Sequence, residues 1–190
     1  MSAPAPPDPD AVDPRFDPDR YLEALRAELP GLRVVEKERD GFSRAIDLAL
    51  KLVTFGAQRH YMSRYVTTIG RTIYLPRGWA ERDPRMRWCT LRHEAVHLRQ
   101  FRRWGLVGTA LLYLVPILPM GLAWGRARIE WEAYAETFRA TAEAFGPAAA
   151  RDPALRAHVV RQFTSGAYGW MWPFPAQVHR WIDAILDEVA

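Results

Sequence analysis

The chain has 190 residues, enough for one substantial hydrophobic core and too few for two ordinary catalytic domains. Its single cysteine, Cys89, excludes an intramolecular disulfide and a cysteine-rich metal site, so any metal must be held by histidines and carboxylates. The net charge of +4 comes mostly from arginines scattered along the chain without a dense basic stripe, and nucleic acid is not an expected partner.

Residues 1–19 are dominated by Pro, Asp and Ala, which bury too little apolar surface to offset chain entropy. They are expected to form a disordered tail, with 20–190 as a single domain. The N-terminus has no basic start followed by an apolar run, so no secretory signal is expected and the location is read as cytoplasmic. Tyr21, Leu22, Leu25 and Leu29 recur at helical spacing and predict a helix from about Pro18 to Leu29, stopped by Pro30-Gly31. Ile46, Leu50 and Val53 predict a second, from about Ser43 to Val53. The β-branched and aromatic run from Tyr65 to Leu75, with Gly70 at its centre, reads as a hairpin or a two- to three-stranded sheet.

Helical pattern returns from Met86 to Trp104, with Gly105 as its stop. Leu106 to Trp124 carries no charge over nineteen residues, the length of a membrane-spanning helix, but Pro116, Pro119 and Gly121 interrupt it. The expectation is a broken helical excursion that starts and ends on the same side, packed against the core or dipping into a membrane surface. A long amphipathic helix follows from Ala127 to Phe145, ended by Gly146-Pro147. Two more are expected at about Pro153–Phe163 and Ala176–Val189, around an aromatic, glycine-rich loop. The fold class is α+β and mostly helical, with a small sheet beside the helix that ends at Gly105 and the Ala127 helix crossing it.

The chemistry lies in His93-Glu94-Ala95-Val96-His97. Residues four apart share a helix face, so His93 and His97 can grip one ion. Glu94 is turned toward the open coordination position, where a base takes a proton from water. Leu91, Ala95, Val96 and Leu98 make the surroundings apolar, with Arg92 and Arg99 on the wetter side.

A catalytic zinc takes three protein ligands, and the third must come from elsewhere. The Ala127 helix offers Glu130, Glu132 and Glu136. Its apolar stripe runs through Ala127, Trp131, Tyr134, Phe138, Ala142 and Phe145, which puts Glu132 and Glu136 among the charged side chains, with Arg128 as a partner for Glu132. Glu130 lies at the border of the stripe beside Thr137 and Thr141, and a carboxylate there needs a partner. Glu130 is therefore the first candidate, Glu132 the second and Glu136 the third.

The combination HEAVH followed by EWEAY resembles the small gluzincin-type metallopeptidases, in which a Glu-x-x-Ala pattern supplies the third zinc ligand. Glu130 and Ala133 match it, and so do Glu132 and Ala135. Where much of that group has Asp or Asn next, this chain has Tyr134 in the first register and Glu136 in the second. Gln100 and Gly105 after the motif and IYLP before it also fit, and the resemblance covers about residues 65–140. It implies a zinc metallopeptidase acting on a peptide or protein substrate. Two alternatives stand beside it: a non-catalytic metal-binding or scaffold protein on the same fold, and a membrane-associated protein.

Such an enzyme also stabilises the oxyanion formed at the scissile carbonyl. Tyr168, between glycines in the aromatic loop, is the first candidate, followed by His158 and then His179; His60 reads as an exposed residue. Cys89 reads as a small core residue one turn before His93. Trp170 and Trp172 read as packing residues, with a substrate subsite or membrane anchor as the alternative.

Overall fold

The computed structural model describes residues 13–39, 65–114, 123–165 and 171–190. The described chain opens with a 3-10 turn, Pro14–Phe16, whose preceding Asp13 accepts the Arg15 backbone N–H at 3.0 Å. Phe16 is buried edge-on against Trp88, with ring centroids 5.1 Å apart. Order thus begins inside the stretch expected to be a tail: one aromatic anchor and two aspartate caps hold residues 13–19, which composition alone marked as unstructured. Residues 1–12 lie outside the described residues.

Helix α1 (Pro18–Glu28) begins with Asp17 as cap and Pro18 in its first turn. Leu22, Leu25 and Leu29 bury one face against Leu91, Ala95 and Leu98 of helix α2 (Pro84–Leu114) and against Ile73 and Leu75 of the sheet. The sheet has three strands: β1 (Arg33–Glu36), β2 (Thr67–Ile69) and β3 (Thr72–Leu75), in the order β1-β3-β2. β2 and β3 form the expected antiparallel hairpin, turning at Gly70, whose φ of 59° suits a residue without a Cβ. β1 pairs parallel to β3 and was not anticipated. Its two apolar residues, Val34 and Val35, are too short a run to signal a strand without the partner.

The helical run of α2 breaks at Gly105, as expected, and a second helical segment follows it. The backbone there is non-helical (φ 68°, ψ 174°), and the helix resumes in a new direction to Leu114. Helix α3 (Trp124–Phe145) follows and ends at Gly146, then α4 (Pro147–Ala150), α5 (Pro153–Thr164) and α6 (Pro175–Glu188). Gly125 packs directly on the outgoing arm: a Cβ there would lie 2.4 Å from the Leu112 carbonyl oxygen. The two ends of the apolar stretch thus meet, while its residues 115–122 lie outside the described residues, as does the helix expected at Ser43–Val53. Among the described residues no helix is long and apolar enough to cross a membrane.

The result is the mostly helical α+β fold expected from the sequence. One core lies between α1, the sheet and α2. A second, containing Phe138, Val159, Phe163, Met171, Val178 and Ile182, joins α3 to α5 and α6. The facing sides of α2 and α3 lie between these cores, and the motif histidines are there.

Candidate metal centre

His93 and His97 stand one turn apart on α2, with ring centroids 5.0 Å apart. α3 brings Glu130 to them, buried to 5% exposure. One ligand atom from each of His93, His97 and Glu130 lies within 4.8 Å of the others. His97 Nε2 is 3.9 Å from Glu130 Oε2.

The hydrogen bonds around the two rings determine which nitrogen is free. Thr137 donates its hydroxyl proton to the Ala133 carbonyl (3.2 Å), so its oxygen accepts from His93 Nδ1–H (2.9 Å). The Gln100 amide nitrogen donates to the Ile129 carbonyl (3.1 Å) and to Glu132 Oε2 (3.0 Å), so its oxygen accepts from His97 Nδ1–H (3.0 Å). With both Nδ1 positions donating, the neutral form of each ring carries its lone pair on Nε2. Burial and the neighbouring His97 push the His93 pKa well below the ordinary 6.5 and keep that ring neutral. Two imidazole lone pairs and a buried carboxylate therefore converge, which is unfavourable among themselves and suited to a cation. This donor set fits zinc with one coordination position left over.

Glu94 faces the sheet side of the same helix and is 5% exposed. The Thr68 hydroxyl on β2 donates to its Oε2 at 2.6 Å. Burial raises the pKa of the Glu94 carboxyl, and Glu130 adds to the rise, while His97, Thr68 and Lys37 oppose it. Lys37, just after β1, is fully buried and donates to the Tyr65 carbonyl (2.8 Å) and the Thr67 hydroxyl (3.0 Å). It ties the start of β2 to the end of β1 and sets a positive charge on the Glu94 side.

The other two ligand candidates of α3 point elsewhere. Glu132 pairs with Arg128 at 3.0 Å, as expected, and receives Gln100. Glu136 is less solvated than the helical wheel suggested, because Arg92 crosses from α2 to pair with it. The Arg92 guanidinium also bonds Glu143 at 2.8 Å and lies over the Trp88 ring.

Tyr168, the first oxyanion candidate, lies outside the described residues, as do His60 and Trp170. His158 is the nearer of the remaining two: its ring is 6.4 Å from that of Tyr134, which in turn stands edge-on to His93 at 5.0 Å. His179 is engaged with Arg156 on α5 (3.3 Å). Cys89 is buried in the small cluster with Phe16 and Trp88, and burial pushes its thiol up to about 11. Trp172 packs in the aromatic group with Trp181 and Phe174.

The sequence alone assigns no role to Thr68, Lys37 or Thr137. Thr137 was within reach of it, being seven residues from Glu130 and on the same helix face. Thr68 and Lys37 act only through the sheet pairing, which no local pattern reveals. No family model, curated protein or solved structure matches the chain.

Proposed function

We propose that the protein is a zinc-dependent metallopeptidase, in which His93, His97 and Glu130 hold the ion and Glu94 is the catalytic base. The observation that carries this reading is the convergence of two Nε2 lone pairs and the Glu130 carboxylate, with both Nδ1 positions committed as donors. Zinc in such a set acts as a Lewis acid and lowers the pKa of water to about 7.

Glu94 accepts the proton of the attacking water and passes it to the leaving amine nitrogen. Thr68 holds one carboxylate oxygen, Oε2, which leaves Oε1 to handle the proton. The upward push on the Glu94 pKa from burial moves it toward neutral pH, where a group both takes and returns a proton efficiently. Thr137 and Gln100 hold the two imidazoles in the tautomer that binds metal. Tyr168 is the donor proposed for the oxyanion, tested by Tyr168→Phe.

The test is Glu94→Gln in a peptide-library cleavage assay with metal content measured in parallel. Gln keeps the shape but cannot take the proton, so zinc stays and turnover falls by a factor of about 100 or more. Near-normal turnover in Glu94→Gln contradicts the mechanism. Zinc bound by a parent protein that cleaves no peptide favours the scaffold alternative.

A further inference from the structure

Most large exposed apolar side chains of the described residues gather at one place. Leu106, Val107, Leu111 and Trp124 are 60%, 72%, 57% and 51% exposed, against three others scattered elsewhere. Val107 and Leu111 share one face of the outgoing arm at i, i+4 spacing, with Leu106 beside them, and the Gly125 contact with the Leu112 backbone brings the start of α3, where Trp124 stands, against the same arm. Trp124 also rims a cleft of about 280 Å³ lined by Trp131, Trp172 and Trp181. Singly exposed apolar residues need no explanation, whereas a contiguous apolar patch marks an interaction surface.

The charge beside the patch is predominantly positive, with Glu28 and Glu132 as the neighbouring acids. Arg102 and Arg103 precede it, Arg126 and Arg128 follow it, and the sequence has no acidic residue between Glu94 and Glu130. Arg102 donates to the Glu28 backbone carbonyl at 3.5 Å and lies near the Glu28 carboxylate, which Arg99 already pairs, and Arg103 lies over the Trp104 ring. Arg128 is paired with Glu132. Aliphatic residues and tryptophan flanked by arginines fit a headgroup layer with negative charge.

We propose that this face docks on an anionic lipid bilayer, with Leu106, Val107, Leu111 and Trp124 entering the headgroup layer and Arg102 and Arg103 meeting lipid phosphates. The proposed docking is peripheral; among the described residues no helix is long and apolar enough to cross a membrane. It also places the metal centre close to the surface. His97 lies eight residues before Gly105 and Glu130 six after Trp124, about 12 Å and 9 Å along their helices. The docking claim does not depend on catalysis.

The experiment is co-sedimentation of the full chain with vesicles of phosphatidylcholine alone or mixed with phosphatidylserine, at low and high salt. The expected result is binding to the mixed vesicles, little to the neutral ones, and weakening by salt. Val107→Asp, at a position already open to water, and the pair Arg102→Gln with Arg103→Gln should each weaken binding about tenfold or more. Far-UV circular dichroism and zinc content should match the parent. The arginine pair touches no core residue and serves as the test if Val107→Asp fails to fold. Absence of binding to mixed vesicles, or equal binding to neutral ones, overturns the proposal. So does self-association that Val107→Asp abolishes in a protein that ignores vesicles, which would make the face a contact between copies.

Discussion

Three glutamates within two turns of α3 have three different fates, decided by angle and partner. Glu130 turns into the space between the helices, Glu132 toward Arg128 and Gln100, and Glu136 toward Arg92. The 100° step of the helix was enough to set the buried Glu130 apart from the other two, but not to order those, since Arg92 leaves Glu136 less exposed than Glu132. It was not enough to find Thr137 and Gln100 as ring partners, since a hydrogen bond to Nδ1 depends on how two helices face each other. Those partners carry a prediction. Thr137→Val and Gln100→Leu each leave a ring nitrogen without its acceptor, and zinc affinity should fall about 10–100-fold. Competition with a chromophoric chelator measures this; unchanged affinity in both variants would refute the tautomer argument. Cys89, with its thiol raised to about 11, should resist alkylation in the native protein at neutral pH and react on unfolding.

The elements repeat this division between local and long-range information. Helices α1, α3, α5 and α6 were legible because their apolar residues keep a 3.6 period and Pro30-Gly31, Gly146-Pro147 and Pro153 mark ends among them, whereas the Asp17 cap and the start at Pro175 came only with the structure. β1 was not, since a parallel partner some forty residues away leaves no trace in a four-residue strand. Gly105 stops the first helical segment, as expected, and is also a corner: φ 68° with ψ 174° is open essentially to glycine alone, and the chain turns there and begins a second helical segment. No neighbour lies within 4 Å of a Cβ added at Gly105, so Gly105→Ala isolates the backbone cost, expected at about 1–3 kcal/mol. Gly125→Ala acts differently, driving a Cβ into the Leu112 carbonyl and forcing the two arms apart, with a loss of about 1–3 kcal/mol. Denaturant midpoints check both, and a Gly125→Ala protein as stable as the parent would show that the arms separate freely.

At the scale of the whole molecule, the candidate centre sits between two cores, so the proposed metal binding would be coupled, with protonation, to folding. In metal-free protein the depressed His93 pKa means that the fold binds fewer protons than the unfolded chain below about pH 6.5, so His93's contribution is lost as pH falls. Glu94 works in the opposite sense. Its raised pKa makes the fold bind more protons, so its contribution is present at low pH and lost as pH rises through the folded value. The two partly cancel in mild acid. Glu94→Gln removes one of them, and the metal-free variant should lose stability on acidification more steeply than the parent, read from melting temperatures between pH 7 and pH 5. Zinc at a hundred times its dissociation constant should restore about 2.7 kcal/mol to the native protein.

The most direct test of the metal centre is the zinc content of purified protein, by elemental analysis after exhaustive dialysis. One tightly held zinc per chain is expected in the parent and in Glu94→Gln, and almost none in His93→Ala or His97→Ala, because two remaining protein ligands compete poorly with water. Marked loss is expected in Glu130→Gln and retention in Glu136→Gln. A parent that holds no metal, or equal zinc in the parent and both histidine variants, would contradict the proposed metal centre.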